Sequence, residues 1–404
     1  MIRSVLRLYR DAFAGLGRDV WMICIVLLVN RAGTMVLPFI TLYLTEQRGM
    51  TIALAGRLLS MYGLGAVAGA YIGGWLCDRV GSVRAQQMSL ITTGAGYLAF
   101  IWLRGLPAIS VALFLLAVLA ESFRPSAMAA IGERAPLEAQ GRAYALARLA
   151  ANVGMAIGPA IGGWLATRAY ALLFVVDAVT CWLATIVLFM LPAVAPSSTV
   201  ASSNSEPAVS RSPWRDGPFL LLMLLVVGMA TVIFQIFGTL PLYFRRYYGL
   251  SATTIGLLLA LNALLLVLFE MITVYRLERY RRMTMIGVGA FLLCLGFGMM
   301  PLGSSIPFAA LTVAVWTFGE MFSLPMMNAV VATRASAAQR GRYMGVYTMA
   351  FAVAFVIAPA AGTYIFDRFG GDVVWYAVAA LGPLMFIGAR MLGRRFDGSF
   401  ISGR

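Results

Sequence analysis

Seven ionisable side chains lie inside long apolar stretches of the sequence, where charged residues are rare. They are Arg31, Glu121, Arg124, Arg148, Asp177, Glu270 and Glu320. The chain has no histidine, and every basic residue is an arginine. A side chain that exchanges protons must therefore be Asp or Glu, because histidine relays and lysine Schiff bases are impossible. The chemistry that this pattern predicts is reversible protonation of buried carboxyl groups.

Glu320 is the first candidate for proton coupling because it lies in the middle of an apolar stretch. A structural hydrogen bond between helices is the alternative role for it. The further candidates for proton coupling are Glu121, Asp177 and Glu270. Glu121 and Arg124 are three residues apart, so they are expected to share a helix face as a local ion pair. Arg31 and Arg124 are the predicted charge partners for a carboxylate in a central cavity.

Other chemistry has little support in the sequence. The four cysteines, Cys24, Cys77, Cys181 and Cys294, are far apart and show no metal or disulfide spacing. The chain contains no Walker loop, so ATP is not expected to drive it. We predict no cofactor, no metal site and no catalytic residues, and therefore no enzyme.

The amino-acid composition indicates the class of protein in which these side chains lie. Of the 404 residues, 61% are apolar and 12% are charged, against about 25% charged in soluble domains. The net charge of +15 raises the possibility of nucleic-acid binding. That reading is rejected because the arginines lie between apolar stretches, as anchors of membrane loops do. We predict an all-α integral membrane protein in a lipid bilayer.

A window of about 20 apolar residues finds twelve membrane spans. They cover residues 20–44, 52–77, 84–103, 107–131, 143–167, 170–191, 218–243, 253–275, 283–302, 306–331, 343–365 and 372–392. Most arginines lie in the terminal segments and in the even-numbered connections between spans. Because the cytoplasmic segments of membrane proteins carry an excess of basic residues, this distribution predicts that both termini are cytoplasmic. The expected location is the bacterial cytoplasmic (inner) membrane.

The predicted architecture is two six-helix pseudo-repeat bundles. Residues 1–191 form the first, with a short basic N-terminal helix; 192–217 form a Pro- and Ser-rich cytoplasmic linker; 218–404 form the second. Shifting the sequence by 200 residues aligns Pro125 with Pro325, Pro159 with Pro359, and Asp78-Arg79 with Glu278-Arg279. Such duplication is typical of secondary transporters that bind substrate near the bilayer midplane.

A loop after span two carries a recognisable pattern. The residues Gly74, Asp78, Arg79 and Gly81 resemble the signature loop of the major facilitator superfamily, although Ser82 and Val83 replace its usual basic residues. The resemblance implies the major facilitator fold and a gating role for the loop. We expect Asp78 to pair with Arg134 and to pack near the start of span eleven.

Span five carries a second pattern, Gly154, Gly158, Pro159, Gly162 and Gly163. It resembles the motif of drug:proton antiporters within that superfamily, and small residues at this spacing let helices approach closely. The bacterial multidrug:proton antiporters also often have a Gly-Glu pair in span ten, here Gly319-Glu320.

The resemblance implies a secondary active transporter working by alternating access. The expected function is proton-coupled efflux, or antiport, of small amphiphilic molecules or drugs. The alternative is a proton-coupled symporter that imports a peptide, sugar or organic anion, and the span-five motif favours export. A membrane enzyme or receptor is disfavoured by the missing catalytic constellation. The expected partners are a small-molecule substrate, protons and lipid, with no nucleic acid, and the chain is expected to be a monomer.

Overall fold

Long helices follow the apolar stretches in a computed structural model of the chain. The structure describes residues 15–192, 213–277, 279–335 and 339–401, and of residues 137, 340 and 395–401 only the backbone. Residues 1–14 of the predicted basic N-terminal helix and residues 193–212 of the linker lie outside these residues, as does Glu278. Within them the chain forms helices and no strand.

We number the helices α1 to α12 in chain order, and three of them are interrupted. The interrupted ones are α1 (Arg18–Ala32 and Val36–Leu42, followed by a π-helical turn), α4 (Leu106–Glu121 and Phe123–Arg134) and α7 (Gly217–Ile233 and Thr239–Arg246). The others are α2 (Ile52–Val80), α3 (Ser82–Trp102), α5 (Gln140–Ala166), α6 (Ala171–Phe189), α8 (Ala252–Leu277), α9 (Arg282–Gly298), α10 (Ile306–Arg334), α11 (Arg340–Phe369) and α12 (Gly371–Ile401).

Eleven helices among the described residues are long and apolar enough to cross a membrane. The predicted span that is not among these eleven is 84–103, which corresponds to α3, whose 21 residues begin with polar turns that carry Arg84 and Gln86. The all-α membrane fold with twelve long helices is thus confirmed. Gly81, at φ 87°, makes the sharp turn between α2 and α3, and Gly370, at φ 96°, makes the turn between α11 and α12.

Proline accounts for the interruptions. Pro38 and Pro241 are each the third residue of the second part of α1 and α7. A proline ring clashes with the carbonyl group four residues earlier, which favours a break there. Pro125 acts in the same way on Glu121, where the first part of α4 ends. Pro159 and Pro325 show that other prolines are accommodated inside unbroken helices. The span predicted at 20–44 is confirmed as one membrane crossing, Arg18–Gln47, and the interruption of α1 lies within it.

The chain groups into two compact units. One contains Met1–Leu37 and Leu64–Val200, and the other contains Pro38–Gly63 and Ala201–Arg404. Pro38–Gly63 joins the second unit through hydrogen bonds such as Ser60 Oγ to the Val356 carbonyl, at 2.7 Å. The division into bundles 1–191 and 218–404 stays a prediction. Grouping the chain by its contacts assigns Pro38–Gly63 to the second unit, whereas the sequence repeat assigns it to the first bundle.

Candidate transport site

Asp177 of α6 holds the interruption of α1. Its side chain is fully buried, and its carboxylate accepts hydrogen bonds from the backbone N–H of Met35 at 3.0 Å and of Val36 at 3.0 Å. These N–H groups begin the second part of α1 and have no partner within that helix. A carboxylate at this position also interacts favourably with the positive end of the helix dipole. Asp177 therefore acts as a helix cap contributed by a different helix.

The interruption of α7 is held by a neutral side chain, which the sequence analysis did not identify. Gln235 is buried and donates its amide N–H to the carbonyl of Ala358 on α11, at 3.0 Å. Its carbonyl oxygen accepts from the Thr239 hydroxyl. Thr41 donates to the carbonyl of Gly238 at 3.1 Å, so the interrupted segment of α7 is bonded on two sides.

The glycines of the span-five pattern lie against α1. A methyl group at Gly154 would come 2.6 Å from the carbonyl oxygen of Leu28, and one at Gly158 would come 2.9 Å from that of Ala32. Pro159, Gly162 and Gly163 continue this face of α5 and are buried. The two backbones thus touch at the last turn before α1 is interrupted, which only very small residues permit.

A second glycine row, on α2, was not identified from the sequence. Gly65, Gly69 and Gly73 are spaced by four residues and face the backbone of α4 at Phe114 to Ser122. A methyl group on Gly69 would lie 2.5 Å from the Val118 carbonyl oxygen. The four-residue spacing in the sequence was the signal that could have revealed this contact.

Arg31 and Arg124, two arginines of the first unit, form no ion pair with a described residue. Glu121 ends the first part of α4, while Arg124 lies in the second part, and Arg124 is exposed. In the described part of the chain no ion pair within 4 Å joins them, so the predicted local pair is not formed. Arg31 and Glu121 are nevertheless the charges that act on Arg124. The structure thus brings these three residues into one electrostatic cluster.

Two buried carboxyl groups lie together in the second unit. Glu320 on α10 is 5% exposed and accepts a hydrogen bond from Asn262 Nδ2 on α8, at 3.1 Å. The same amide group donates to the Thr317 hydroxyl at 2.9 Å. Glu270, also on α8, is 8% exposed and acts on Glu320 electrostatically. Asn262 and Thr317 were missed because a neutral side chain in an apolar stretch gives no charge signal.

The charged residues of the signature loop are exposed in this structure, whereas Gly81 is buried. Asp78 and Arg79 are both exposed, and the Arg79 guanidinium lies 4.1 Å from the centre of the Trp75 ring. A methyl group on Gly74 would meet no atom within 4 Å. The close helix contact at this place is made instead by Gly73.

Arg134 does not pair with Asp78, contrary to the sequence-based expectation. Its guanidinium lies 3.5 Å from the carboxylate of Asp19 and 3.4 Å from that of Glu133. Glu133 also accepts a hydrogen bond from Ser82, a residue of the signature loop. The residue pair Asp19–Arg134 therefore ties the start of α1 to the end of α4.

The second unit contains the corresponding ion pair in a tighter form. Arg334, 200 residues after Arg134, donates two hydrogen bonds of 2.6 Å to Asp216. Asp216 caps α7 by accepting from the Phe219 N–H, and it also accepts from the Tyr343 hydroxyl at 3.0 Å. Partial burial acts to raise the pKa of Asp216, but these hydrogen bonds and the charge of Arg334 outweigh burial, and the pKa is lowered.

No group of three metal-binding side chains is found among the described residues. The arrangement allows two kinds of chemistry: protonation of the Glu320 carboxyl group and ionic contact with the guanidinium groups of the arginines.

Comparison with known proteins places these features in context. The sequence matches the family model described as Major Facilitator Superfamily over residues 22–335 and 236–398. It is 27% identical to the multidrug resistance protein MdtH of Edwardsiella ictaluri, over 84% of each chain. It is 23% identical to a Na(+), Li(+), K(+)/H(+) antiporter of Planococcus maritimus, over 82% of this chain and 85% of that one.

The fold has close structural neighbours. A crystal structure of a POT family transporter in complex with 5-aminolevulinic acid superimposes with a TM-score of 0.80. The match covers 95% of this chain and 98% of that one, at 14% identity. A likeness at this identity concerns the fold.

Proposed function

Because the chain belongs to the Major Facilitator Superfamily of membrane transporters, we propose that it exports small amphiphilic molecules in exchange for protons. Transport of a small molecule across a membrane, rather than catalysis, is the function that the family establishes. Proton coupling, direction and substrate are the parts that we propose. The expected setting is the bacterial inner membrane, with both termini cytoplasmic and the chain acting as a monomer.

The observation that carries the proposal is the environment of Glu320. Its carboxyl group is buried, its bond comes from the neutral amide of Asn262, and no basic side chain of the described residues pairs with it. An isolated charge is costly to bury, whereas a protonated carboxyl is tolerated. Nearby Glu270 adds a second carboxyl, and two neighbouring carboxylates disfavour each other's ionisation. Such a group can take up a proton and release it when its surroundings become polar.

Asp177 is a weaker candidate for the proton carrier. Its carboxylate holds two backbone N–H groups of α1, so protonation would weaken the cap of a helix. Glu121 lies beside Arg124, and a neighbouring cation favours the ionised form. Glu320 is therefore preferred, because it is buried and its hydrogen bond comes from a neutral side chain.

The contact between α5 and α1 supports export as the direction. Gly154 and Gly158 belong to a pattern that resembles drug:proton antiporters, and they touch α1 at its interruption. The relatives include proteins named for multidrug resistance and for cation/proton antiport. Protonation of Glu320 and binding of substrate would then favour different states of the carrier, which is the thermodynamic basis of exchange.

Flux in proteoliposomes under an imposed pH gradient tests the proposal. The probes are naphthalene-2-sulfonate and (2-naphthylmethyl)trimethylammonium, which share an apolar ring and differ in charge. The wild-type protein should accumulate at least one probe against its gradient in the direction opposite to the protons. Glu320→Gln should abolish uphill accumulation and keep downhill movement, while Glu138→Gln, the same change at an exposed position, should leave both intact.

Two outcomes would reject the proposal. Uphill accumulation by Glu320→Gln would exclude Glu320 as the coupling residue. Accumulation in the same direction as the protons would establish symport, the alternative that the sequence left open.

A further inference from the structure

Two of the intramembrane arginines of the first unit, Arg31 and Arg124, lie at about the same depth. The ion pair between Asp19 and Arg134 fixes the register of α1 against α4, which run antiparallel. Arg31 follows Asp19 by 12 residues, about 18 Å along a helix, and Arg124 precedes Arg134 by 10 residues, about 15 Å. The two Cα atoms thus differ in depth by only about 3 Å. The first part of α1 packs against the second part of α4, so the two guanidinium groups belong to neighbouring helices.

Neither guanidinium group has an anionic partner within the described chain. Arg31 is half-buried and Arg124 is exposed, and no ion pair or side-chain hydrogen bond to a described residue involves either of them. Glu121 is close enough to act on Arg124 but is not within ion-pair distance. Asp177, the other acid at mid-membrane in this unit, is occupied by the backbone of α1.

An arginine inside a membrane protein is normally paired or faces water. Two of them at one depth repel each other, and an anion bound between them would relieve that repulsion. Arginine keeps its charge at any physiological pH, so neither can relieve the repulsion by losing a proton. The planar guanidinium group binds carboxylate, sulfonate and phosphate oxygens through paired hydrogen bonds.

We infer that Arg31 and Arg124 form an anion-binding site, and that the transported molecule is an amphiphilic organic anion. The inference rests on the proposed transport function and narrows its substrate class. The anionic group of the substrate would lie between the two arginines, and its apolar part would lie beside them.

The location of the site also connects it to the moving parts of the first unit. Arg31 is in the last turn before α1 is interrupted, and its Cβ would lie 2.7 Å from a methyl group placed on Gly154 of α5. Arg124 is in the first turn after the interruption of α4. An anion bound to both would therefore bridge the interruptions of α1 and α4. Because Arg31 contacts α5, binding of the anion would also affect the packing of α5.

Binding of a matched set of probes to the purified protein tests the inference. The set is naphthalene-2-sulfonate, the neutral naphthalene-2-sulfonamide and (2-naphthylmethyl)trimethylammonium, which differ in charge on one apolar ring. Titration calorimetry at constant ionic strength should give at least tenfold tighter binding for the sulfonate than for the other two. This comparison uses the wild-type protein alone, so it does not depend on the folding of any variant.

Variants then locate the site. Arg31→Gln and Arg124→Gln should each weaken sulfonate binding at least tenfold and leave sulfonamide binding unchanged. Arg124→Lys should bind with intermediate affinity, because it keeps the charge and loses the paired hydrogen bonds. Arg104→Gln, which removes the same charge at an exposed loop position, is the matched control and should bind as the wild type does.

The outcomes separate this inference from the proposed function. Equal or tighter binding of the cationic probe, no binding of the sulfonate, or full sulfonate affinity in both glutamine variants would overturn the anion site. Proton-driven export of the cationic probe alone would preserve the antiport proposal and reject the anion site. Selective sulfonate binding without any proton-driven movement would preserve the anion site and reject the antiport proposal.

Discussion

The interruptions of α1 and α7 occupy corresponding positions in the two halves and are held by opposite chemistry. Met35 and Gln235 are 200 residues apart; Met35 directly precedes the second part of α1, and Gln235 lies four residues before the second part of α7. The third residue of each of these parts is a proline. In the first half the carboxylate of Asp177 binds the freed N–H groups. In the second half the neutral side chain of Gln235 bonds to α11 and to Thr239.

Under the predicted duplication, this difference indicates that the two halves have become specialised. None of the key intramembrane charges is repeated: the counterparts of Arg31, Arg124 and Glu320 are Thr231, Leu324 and Ala120. The first half has arginines, the partly exposed Glu121, and Asp177, whose carboxylate binds backbone N–H groups. The second half has two buried glutamates, Glu270 and Glu320. A carboxyl group that can exchange protons is therefore expected in the second half.

The largest expected effect comes from Gly158, whose counterpart in the second half is the fully buried Ala358. Gly158→Leu should abolish transport and lower the free energy of unfolding by about 3 kcal/mol, because its side chain meets the α1 backbone. Gly158→Ala should be milder, since alanine is accepted at position 358. Flux and thermal unfolding in detergent measure both.

Normal flux in Gly158→Leu would show that α5 and α1 need no backbone contact at this point. The matched control is Gly141→Leu, at an exposed glycine on the same helix where a methyl group meets no neighbouring atom.

A smaller effect should distinguish the charged from the neutral helix cap. Asp177→Asn should lower the free energy of unfolding by about 2 kcal/mol, since hydrogen bonds to charged groups contribute about 1.5–3 kcal/mol. Gln235→Leu should lower it by about 1 kcal/mol, as expected for neutral bonds. Thermal unfolding of the two variants side by side measures the difference.

Transport assays sharpen the same comparison. Asp177→Asn should keep the wild-type ratio of uphill to downhill flux, unlike Glu320→Gln. A loss of uphill flux alone in Asp177→Asn would place a proton carrier in the first half and contradict the division of roles.

The smallest effect concerns the ion pairs at the arginine-rich ends of the two halves. Asp216→Asn should lower the free energy of unfolding by about 1–2 kcal/mol, and Asp19→Asn by less than about 1 kcal/mol, because the side chain of Asp19 is 37% exposed and that of Asp216 only 9%. Equal losses in the two variants would show that burial does not separate these pairs.

The two variants should also differ in their pH dependence. The folded-state pKa of Asp216 is lowered, so its carboxylate stabilises the protein fully above the unfolded value, about 3.9. That stabilisation is lost as the pH falls through the lowered folded-state pKa. Thermal unfolding of the wild type and Asp216→Asn should therefore converge at acid pH. A gap that stays constant down to acid pH would contradict this role.

The sequence predicted the helices well because hydropathy and helix length are local properties. It also predicted small-residue contact on α5, whose glycine spacing is characteristic. The interruption of α1 was missed although Pro38 marks it, because the apolar stretch continues across the proline. The partner of Arg134 was missed because Asp19 is distant in sequence and only the packing of α1 against α4 brings it near. Asp216 was overlooked beside a linker of low complexity.

The uncompensated charges of Arg31 and Arg124 have an electrical consequence. If one monovalent anion leaves for each proton that enters, two elementary charges cross the membrane in the same sense in every cycle. Each charge gains about 2.3 kcal/mol per 100 mV, so the pair gains about 4.6 kcal/mol. The membrane voltage would therefore supply much of the driving force of such an anion exporter. Export would continue in alkaline surroundings, where the proton concentration gradient disappears.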